Sequence, residues 1–321
     1  MYTLTCLMTL WTGNGKIYRL PFLTKAEITY SLENLTQTCK VTLPKQLLWD
    51  GKTDLPLHRG DPMELQLGYN KKNRLLFSGY LANIGVQTPL ELTFEDDMFR
   101  LKQWPTVKKA YRNVDLQTLL EDQELPYAVK VYGTTALGAY RVIQDTVAEL
   151  LDDLAKSGFR FFFKTDKTGV PVLHGGIIFD RSEAQRVVIS TGVNLIDDKN
   201  LKRQYKDDVK VLVKVISHTG KNNKAHTVEV GKKGGETRTV RVAGMTEAEM
   251  KEKGEALLKL YKRDGLSGDL TTFGEPAAQL LDHVAVKLDG VRMGIYQVAK
   301  NEISFGTDGY RQKIKLGRRV D

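Results

Sequence analysis

Cysteine, histidine and long apolar runs are all scarce in this sequence, and each shortage excludes a class of protein. Only two cysteines occur, Cys6 and Cys39, and they form neither a metal-binding spacing nor a disulfide framework. No apolar run approaches the roughly 20 residues that a membrane-spanning helix needs. The start of the chain, from Met1 to Cys6, lacks the basic region and cleavage site of a signal peptide. We therefore expect synthesis in the cytoplasm and two buried, reduced thiols.

The residues that carry common chemistries are isolated from one another. The five histidines show no ligand spacing on a helix, and they are His58, His174, His218, His226 and His283. His218 and His226 flank one predicted hairpin, but no third metal ligand accompanies them. The carboxylates of Glu95-Asp96-Asp97 and of Asp152-Asp153 have no substrate cleft around them, so a glycosidase acid pair is not favoured. Because a Walker loop and a Gly-x-Ser-x-Gly elbow are also absent, we predict no catalytic, cofactor-binding or metal-binding residue, and no enzyme.

The positive charge of the chain is concentrated in its last third. The formal net charge is +9, and from Asp197 to Asp321 we count 25 Lys and Arg against 18 Asp and Glu, which holds +7 of it. The basic residues there include Lys199, Lys202, Arg203, Lys206, Lys221, Lys224, Lys232, Lys233, Lys313, Lys315, Arg318 and Arg319. No aromatic residues are interleaved with them as stacking platforms for bases. The pattern favours a solvated face, and a non-enzymatic nucleic-acid-binding or polyanion-binding module is the alternative.

The first third of the chain has the pattern of a small β-barrel. About six short segments with alternating apolar and polar residues precede Trp104, and turns rich in Gly and Asn separate them, as at Trp11 to Lys16. Short strands at this spacing are typical of a small barrel or sandwich, which covers its sheet edges. We predict a first β-barrel domain over residues 1–104, and 321 residues leave room for further domains.

Past Pro105 the pattern changes to that of an α+β module, which we predict over residues 105–185. Asn113 is predicted to cap a short helix. A longer helix is predicted from the helical spacing of Ile143, Val147, Leu150, Leu151 and Leu154, with Gly158 as its stop. In the strand that follows, Phe159, Phe161 and Phe163 share one side, and we expect that row to be core under the helix rather than a ligand site.

The last segment, residues 186–321, returns to strand patterns and is predicted to form a second, similar β-barrel with a helical insertion. Thr246 and Glu249 have capping-box spacing, so the inserted helix is predicted over residues 246–264, with Gly265 as its stop. The fold class predicted for the whole chain is therefore mainly β (α+β), with two similar small barrels on either side of the α+β module.

One stretch of the first barrel is echoed in the second. Asp61 to Gly68 alternates as a half-buried strand and leads through a turn into Leu76 to Tyr80. Asp282 to Gly290 shows the same alternation and leads through a turn into Met293 to Tyr296. The echo predicts that two similar β units lie near opposite ends of the chain.

These motifs resemble a known family of phage proteins. His58-Arg59-Gly60-Asp61, Leu76-Phe77-Ser78-Gly79-Tyr80 and Phe94-Glu95-Asp96-Asp97-Met98 are similar to the first domain of contractile-tail baseplate hub proteins. The family comprises the late control protein D, Mu-like tail hub and type VI VgrG-like proteins. The helix that ends at Gly158 and the segment Leu266-Ser267-Gly268-Asp269-Leu270 resemble its later modules. Leu280-Leu281-Asp282 departs from the Pro-Gly-Asp of many relatives.

The resemblance implies a structural role in a tail or tail-like particle of a bacterium. The expected assembly is a homotrimer whose two barrels per chain form a ring of six like units, connecting a six-fold tail tube to a three-fold spike. The expected partners are the chain itself, the tail tube protein, the central spike protein and other baseplate proteins. Nucleic acid is expected only in passage through a lumen. Phage, tail-like bacteriocin and secretion apparatus remain open as the particle.

Overall fold

The computed structural model describes residues 2–44, 49, 51, 55–85, 88–133, 135–166, 169–179, 184–219, 224–243 and 245–321. Strands make up most of the described residues, which confirms the predicted mainly β class. None of the helices among these residues has the length and apolar character needed to cross a membrane.

The elements of the first 121 residues are β1 (Leu4–Trp11), β2 (Ile17–Leu20), β3 (Lys25–Ser31), β4 (Thr38–Thr42), β5 (Pro62–Tyr69), β6 (Lys72–Ile84), β7 (Glu91–Glu95), α1 (Met98–Leu101), β8 (Ala110–Asp115) and α2 (Leu116–Glu121). Next come β9 (Ala128–Tyr132), β10 (Ala136–Arg141), α3 (Val147–Lys156), β11 (Arg160–Thr165), β12 (Pro171–Gly176), β13 (Arg186–Ser190), β14 (Leu195–Asp197) and β15 (Lys202–Gln204). The chain ends with β16 (Val211–Thr219), β17 (Lys224–Gly231), β18 (Glu236–Ala243), α4 (Glu247–Tyr261), β19 (Gly265–Ser267), β20 (Asp269–Phe273), β21 (His283–Leu288), β22 (Val291–Gly306) and β23 (Gly309–Arg319).

Residue contacts divide the chain into two compact units. Unit 1 comprises residues 1–100, 185–200 and 268–317, so it combines both regions that carry the echoed stretch. Unit 2 comprises residues 101–184, 201–267 and 318–321. The predicted three domains, 1–104, 105–185 and 186–321, stay a prediction about how the chain divides.

Unit 1 is built on one continuous sheet of 13 strands. Its order is β14-β20-β23-β22-β3-β4-β7-β6-β5-β1-β2, and β13 and β21 extend from β22 as a side branch. Alternation along each strand sends one set of side chains into the core, as with Ala26 and Ile28 of β3, which are 1% exposed. The core beneath the first half of the sheet gathers the apolar residues of β1 to β7.

The two predicted barrels are similar β units, but the described strands do not close either of them. In the first, β3 pairs with β4 on one edge and with β22 on the other, so neither edge is left for β2. In the second, β13 and β14 are joined by a turn but do not pair with each other. The Asn194 side chain forms hydrogen bonds with the backbone of β13 instead. Asn194 Oδ1 accepts from the Ser190 amide at 2.9 Å, and Nδ2 donates to Val188 O at 2.9 Å.

Unit 2 contains four small sheets among its described residues, and their strand orders are β10-β8, β11-β12-β9, β15-β19 and β17-β16-β18. Phe159, Phe161 and Phe163 are buried, as predicted. Phe162, on the opposite side of β11, is also buried and stacks on His174 at a ring distance of 5.1 Å. Both sides of this strand are therefore covered.

Two helix starts predicted for this region were wrong. α3 begins at Val147 because Thr146 and Glu149 form a capping box, and Ile143 lies before it with 67% of its surface exposed. α2 is capped by Asp115, whose Oδ1 accepts from the Thr118 amide at 2.9 Å, whereas Asn113 belongs to β8. In both cases the local side chain that reaches an unpaired amide decides where the helix begins.

The inserted helix was predicted correctly at its start, but it ends at Tyr261 rather than at residue 264, because the backbone leaves the helical conformation at Lys262 and Gly265 already belongs to β19. The helix covers the sheet formed by β16 to β18. The Thr246 amide donates to Glu249 Oε2 at 2.7 Å, and the Glu249 amide donates to Thr246 Oγ1 at 3.4 Å. Gly254 interrupts the apolar stripe for a steric reason. A Cβ there would stand 2.8 Å from Val230 Cγ2, so only glycine allows this close approach.

Candidate assembly site: a duplicated aspartate turn

The first copy of the echoed stretch begins with a turn organised by a buried aspartate. Asp61, which is 5% exposed, accepts from the His58 amide through Oδ2 at 2.8 Å. Its other carboxylate oxygen, Oδ1, accepts from the Gly13 amide in the β1–β2 turn at 3.1 Å. The turn is also held to β6, since the Gly60 amide donates to Leu81 O at 2.8 Å and the Leu81 amide donates to Asp61 O at 2.9 Å.

The second copy repeats this turn almost bond for bond. Asp282, which is 1% exposed, accepts from the Gln279 amide through Oδ2 at 2.9 Å. Its own amide donates to Gln279 O at 3.1 Å, the distance found between Asp61 and His58 O. The Leu281 amide donates to Val298 O at 3.0 Å, and the Val298 amide donates to Asp282 O at 2.9 Å. The predicted echo is therefore a structural repeat.

The repeat extends along the two hairpins that follow. Counting from each aspartate, Leu65 corresponds to Val286, and both hairpins have a register shift directly after that residue. In the second strand of each hairpin, one residue has no partner at the shift, and this residue is Leu76 in the first copy and Met293 in the second. A bulge at the same place in both copies gives the two hairpins the same bend.

The turn before Asp282 keeps its shape although its sequence departs from the pattern of the first copy. Gly60 has φ +95°, in the left-handed region that glycine adopts freely. Leu281, at the corresponding place, has φ +64° and is 1% exposed. A leucine in this conformation costs of order 1–3 kcal/mol. Burial of its side chain offsets that cost, since a fully buried leucine contributes about 1.5–3 kcal/mol.

A buried polar network, which the sequence analysis missed, holds the loop that leads into the second turn. Gln312 is 1% exposed and makes four hydrogen bonds through its side chain. Nε2 donates to Phe273 O at 3.0 Å and to Pro276 O at 2.7 Å. Oε1 accepts from the Ala278 amide at 3.1 Å and from Asn301 Nδ2 at 3.0 Å. The signal in the sequence was a polar residue at an inward position of an alternating strand, between Tyr310 and Ile314.

The opposite, outward face of the same strands is polar and carries paired charges. An open concavity of about 550 Å³ on this face is lined by residues that include Glu27, Lys40, Thr271, Glu302, Arg311 and Lys313. Lys313 lies 3.2 Å from Asp269, and Lys315 lies 3.5 Å from Glu33. Lys300 and Glu302 are 2.8 Å apart. Three lysines of these strands, Lys300, Lys313 and Lys315, therefore have an acidic partner within 3.5 Å.

The histidines are not gathered into a site. His174 is a core residue, since its Nδ1 lies 2.9 Å from Tyr132 Oη and its ring stacks on Phe162. His226 pairs in register with Ser217, and His218 pairs with Ala225, so the two are not partners across the strands. His283 opens β21, opposite Gln297, and His58 lies in the first aspartate turn. The described part of the chain holds no group of three potential metal ligands.

The other residues considered from the sequence lie apart. Asp152 and Asp153 are on the exposed side of α3, within 3.4 and 3.8 Å of Lys156 Nζ. Cys6 and Cys39 are buried free thiols, as expected, and burial raises the pKa of both. The predicted basic turn at Lys221 lies outside the described residues. That the chain has no catalytic or metal-binding residue stays a prediction.

Asp96, in the acidic group after β7, makes the stability of the protein dependent on pH. Its Oδ1 accepts from the Met98 amide at 3.3 Å, while its buried Oδ2 has no hydrogen-bond partner among the described residues. Burial, and then the charge of Asp97, raises the pKa of this carboxyl well above its usual range. The folded protein therefore keeps a proton that the unfolded chain loses above about pH 4, so this group makes stability fall as pH rises from there to its folded pKa.

We expect Asp96→Asn to remove this dependence. We compare the melting temperature of the variant with that of the wild type at each pH. The variant should gain relative to the wild type between pH 4.5 and pH 7, because the amide cannot ionise. Differential scanning calorimetry at the two pH values measures the change. Glu91→Gln, which alters an exposed carboxylate on β7, is the matched control. Its melting temperature should change between the two pH values by as much as that of the wild type. An equal effect of Asp96→Asn at both pH values would contradict the assignment.

The fold is similar to that of phage tail proteins and of a type VI secretion component. A tail protein from Neisseria meningitidis MC58 matches 98% of this chain over 97% of its own length, with a TM-score of 0.62 and 15% identity. The 43 kDa tail protein of prophage MuSo2 from Shewanella oneidensis also matches 98% of this chain over 97% of its own length, with a TM-score of 0.59 and 17% identity.

A third similar structure comes from a secretion system. An Escherichia coli component of the type VI secretion system, described as structurally similar to T4 bacteriophage tail proteins, matches 93% of this chain over 74% of its length, with a TM-score of 0.55 and 10% identity. No family model and no curated protein matches the sequence. The resemblance inferred from the sequence is therefore confirmed as a likeness of fold to tail proteins.

Proposed function

We propose that this protein is the structural hub of a contractile phage tail or a tail-like injection apparatus, and that it acts as a homotrimeric ring. The observation that carries the proposal is the duplicated aspartate turn. Asp61 and Asp282 begin two equivalent hairpins, which belong to one continuous sheet. Three copies of a chain with two like units supply six like units, arranged with three-fold symmetry.

Such a ring connects partners of different symmetry. Features shared by the two repeats present a six-fold pattern, which suits a tail tube protein. Features that differ between the repeats present a three-fold pattern, which suits a central spike protein. The hairpin tips differ in their side chains, since the first has Asn70 and Lys71 and the second has Asp289 and Gly290, although all four residues have positive φ. Other baseplate proteins are further expected partners, and the place of action is the assembled particle.

The work of this hub is assembly rather than catalysis. The solved proteins with this fold include tail proteins and a secretion-system component, which supports a structural role. The alternative, a polyanion-binding module, loses support because basic residues of the last strands are paired with acids, as in Lys313 with Asp269 and Lys315 with Glu33. Such pairs lower the positive charge that this face offers to phosphate groups.

Electron microscopy of the purified protein tests the ring directly. We expect end-on class averages with three-fold symmetry and a strong six-fold component at low resolution, because the two repeats differ only in detail. Particles with two-fold symmetry, or three-fold particles with no six-fold component, would contradict the proposal.

A further inference from the structure

The positive charge of the last third lies in one segment of unit 2, residues 201–267. This segment carries 16 Lys and Arg against 9 Asp and Glu, so it holds +7 of the net charge of +9. Residues 268–317, which follow it and belong to unit 1, carry 6 basic and 6 acidic residues, a net charge of zero. The basic excess is therefore a local property of unit 2.

The β15–β16 loop brings one of these lysines to the C-terminal half of α4. Lys206 lines an open concavity of about 310 Å³ together with Leu258, Lys259 and Lys262 of the helix. The Lys206 amide donates to Asp264 Oδ1 at 2.9 Å, which ties the loop to the residues that follow the helix. Lysines from two stretches of the chain thus share one concavity.

The β17–β18 turn lies against the same part of α4. A Cβ on Gly231 would stand 3.1 Å from Leu258 Cδ1, so the turn and the helix are in contact there. The Glu236 amide donates to Lys210 O at 3.1 Å, which joins the turn to the end of the β15–β16 loop. The three stretches together form a lysine cluster, which comprises Lys206, Lys210, Lys232, Lys259 and Lys262.

The lysine cluster is not neutralised by ion pairs. Among the described residues, no carboxylate lies within 4.0 Å of a lysine of the cluster, in contrast to Lys313 and Lys315 of unit 1. Asp207 and Glu255 line the concavity as well, but neither forms an ion pair with the cluster. The two lysines of α4 suit the negative end of the helix dipole, yet that effect does not account for lysines from two other stretches.

The residue types of the cluster favour phosphate as the ligand. A lysine ammonium is a point charge that suits phosphate oxygens, whereas the planar fork that matches a carboxylate belongs to arginine. Tyr205, which is 54% exposed, is a single ring beside the cluster, so bases have no series of stacking platforms. Leu258 is the one apolar residue that lines the described concavity, and it is half-buried, which is too little to insert into a lipid bilayer.

We propose that the lysine cluster of unit 2 binds the phosphate backbone of double-stranded nucleic acid without reading its sequence. Duplex DNA presents about one negative charge per 1.7 Å of its length, so several lysines can each meet a phosphate. The interaction goes beyond the assembly of the hub and does not depend on it, because all five lysines belong to unit 2 of one chain.

Fluorescence anisotropy of the full-length protein with a labelled DNA duplex of mixed sequence tests the proposal. We expect the logarithm of the affinity to fall with the logarithm of the salt concentration, with a slope of about −4 to −5 for five phosphate contacts. Replacing three lysines together, Lys206→Gln, Lys259→Gln and Lys262→Gln, should weaken binding at least roughly tenfold and reduce the slope by about 3. Circular dichroism verifies that the variant is folded.

Three lysines of unit 1 supply the matched control, since they carry the same charge but have acidic partners. Lys300→Gln, Lys313→Gln and Lys315→Gln together should lower the affinity by at most about threefold, because salt screens exposed charges outside the contact. An equal loss in both triple variants would overturn the proposal, and so would binding that does not depend on salt.

Vesicles that contain phosphatidylserine test the source of the phosphate. Binding to these vesicles and not to the duplex would also overturn the proposal, because it would assign the cluster to a lipid surface. A trimeric protein that fails to bind the duplex would remove this inference and leave the proposed hub intact.

Discussion

Replacing Gln312 by alanine is expected to lower the free energy of unfolding by about 4 kcal/mol or more. The Gln312 side chain makes four hydrogen bonds, to Phe273 O, Pro276 O, the Ala278 amide and Asn301 Nδ2. Each buried group that loses its partner costs about 1–3 kcal/mol, and a cavity adds to the loss. Urea or thermal unfolding, followed by near-ultraviolet circular dichroism, measures the change.

Two further variants separate the network from simple loss of volume. Gln312→Glu keeps the size of the side chain but replaces the Nε2 donor by an oxygen that faces Phe273 O and Pro276 O, so we expect a loss as large as that of alanine. Lys313→Ala changes the neighbouring, exposed residue and should alter stability by no more than about 1 kcal/mol, as is usual for a surface ion pair. Retention of stability in Gln312→Glu would contradict the assigned donors.

Replacing Asp61 by alanine is expected to lower the free energy of unfolding by about 2–4 kcal/mol. The change leaves the His58 and Gly13 amides without their acceptors, and each such loss costs about 1–3 kcal/mol. Because the carboxylate ties the β1–β2 turn to the start of β5, we also expect faster hydrogen exchange at both amides. Hydrogen exchange read by mass spectrometry, with thermal unfolding alongside, measures both effects.

Two control variants test whether the carboxylate oxygens of Asp61 cause this loss. Asp61→Asn keeps one acceptor oxygen and should recover about half of the loss, since only one of the two amides regains its partner. Glu64→Ala removes a carboxylate from the same strand, three residues away, and should change stability by about 0.5 kcal/mol or less. An Asp61→Ala variant as stable as Glu64→Ala would show that the aspartate does not organise the turn.

The sequence was informative wherever local chemistry decides the structure. Thr246 and Glu249 predicted the start of α4 because a capping box depends only on residues three apart. The same reasoning applied to Thr146 and Glu149 would have started α3 correctly, whereas the helical spacing of Ile143 extended it by four residues. Periodicity shows that a helix exists, and the cap shows where it begins.

Features that depend on contacts between distant parts of the chain could not be predicted from the sequence. The echo of Asp61 in Asp282 was visible as alternation, but the matching hydrogen bonds and the common bulge were not. No pattern along β3 indicates that it pairs with β22, some 270 residues later, since alternation marks a buried face and not a neighbour. The first predicted barrel does not close for this reason, because that pairing uses the second edge of β3.

At Leu281, tertiary contacts determine the backbone conformation against the local preference of the residue. Its sequence context departs from the Gly60 turn, yet the backbone keeps the left-handed conformation in both copies. The Leu281 amide donates to Val298 O, and the Gln279 amide donates to the Asp282 carboxylate, so hydrogen bonds fix the turn that contains the leucine. Tertiary contacts therefore override a local preference against positive φ in a branched, buried side chain.

The number of chains in the proposed ring is three, because each chain carries two copies of the repeated unit. Sedimentation equilibrium over a wide range of concentrations measures the solution mass without reference to shape. We predict three times the chain mass of 36.2 kDa, independent of concentration in the upper part of the range. A stable dimer at all concentrations would contradict the account, because two copies cannot supply six like units.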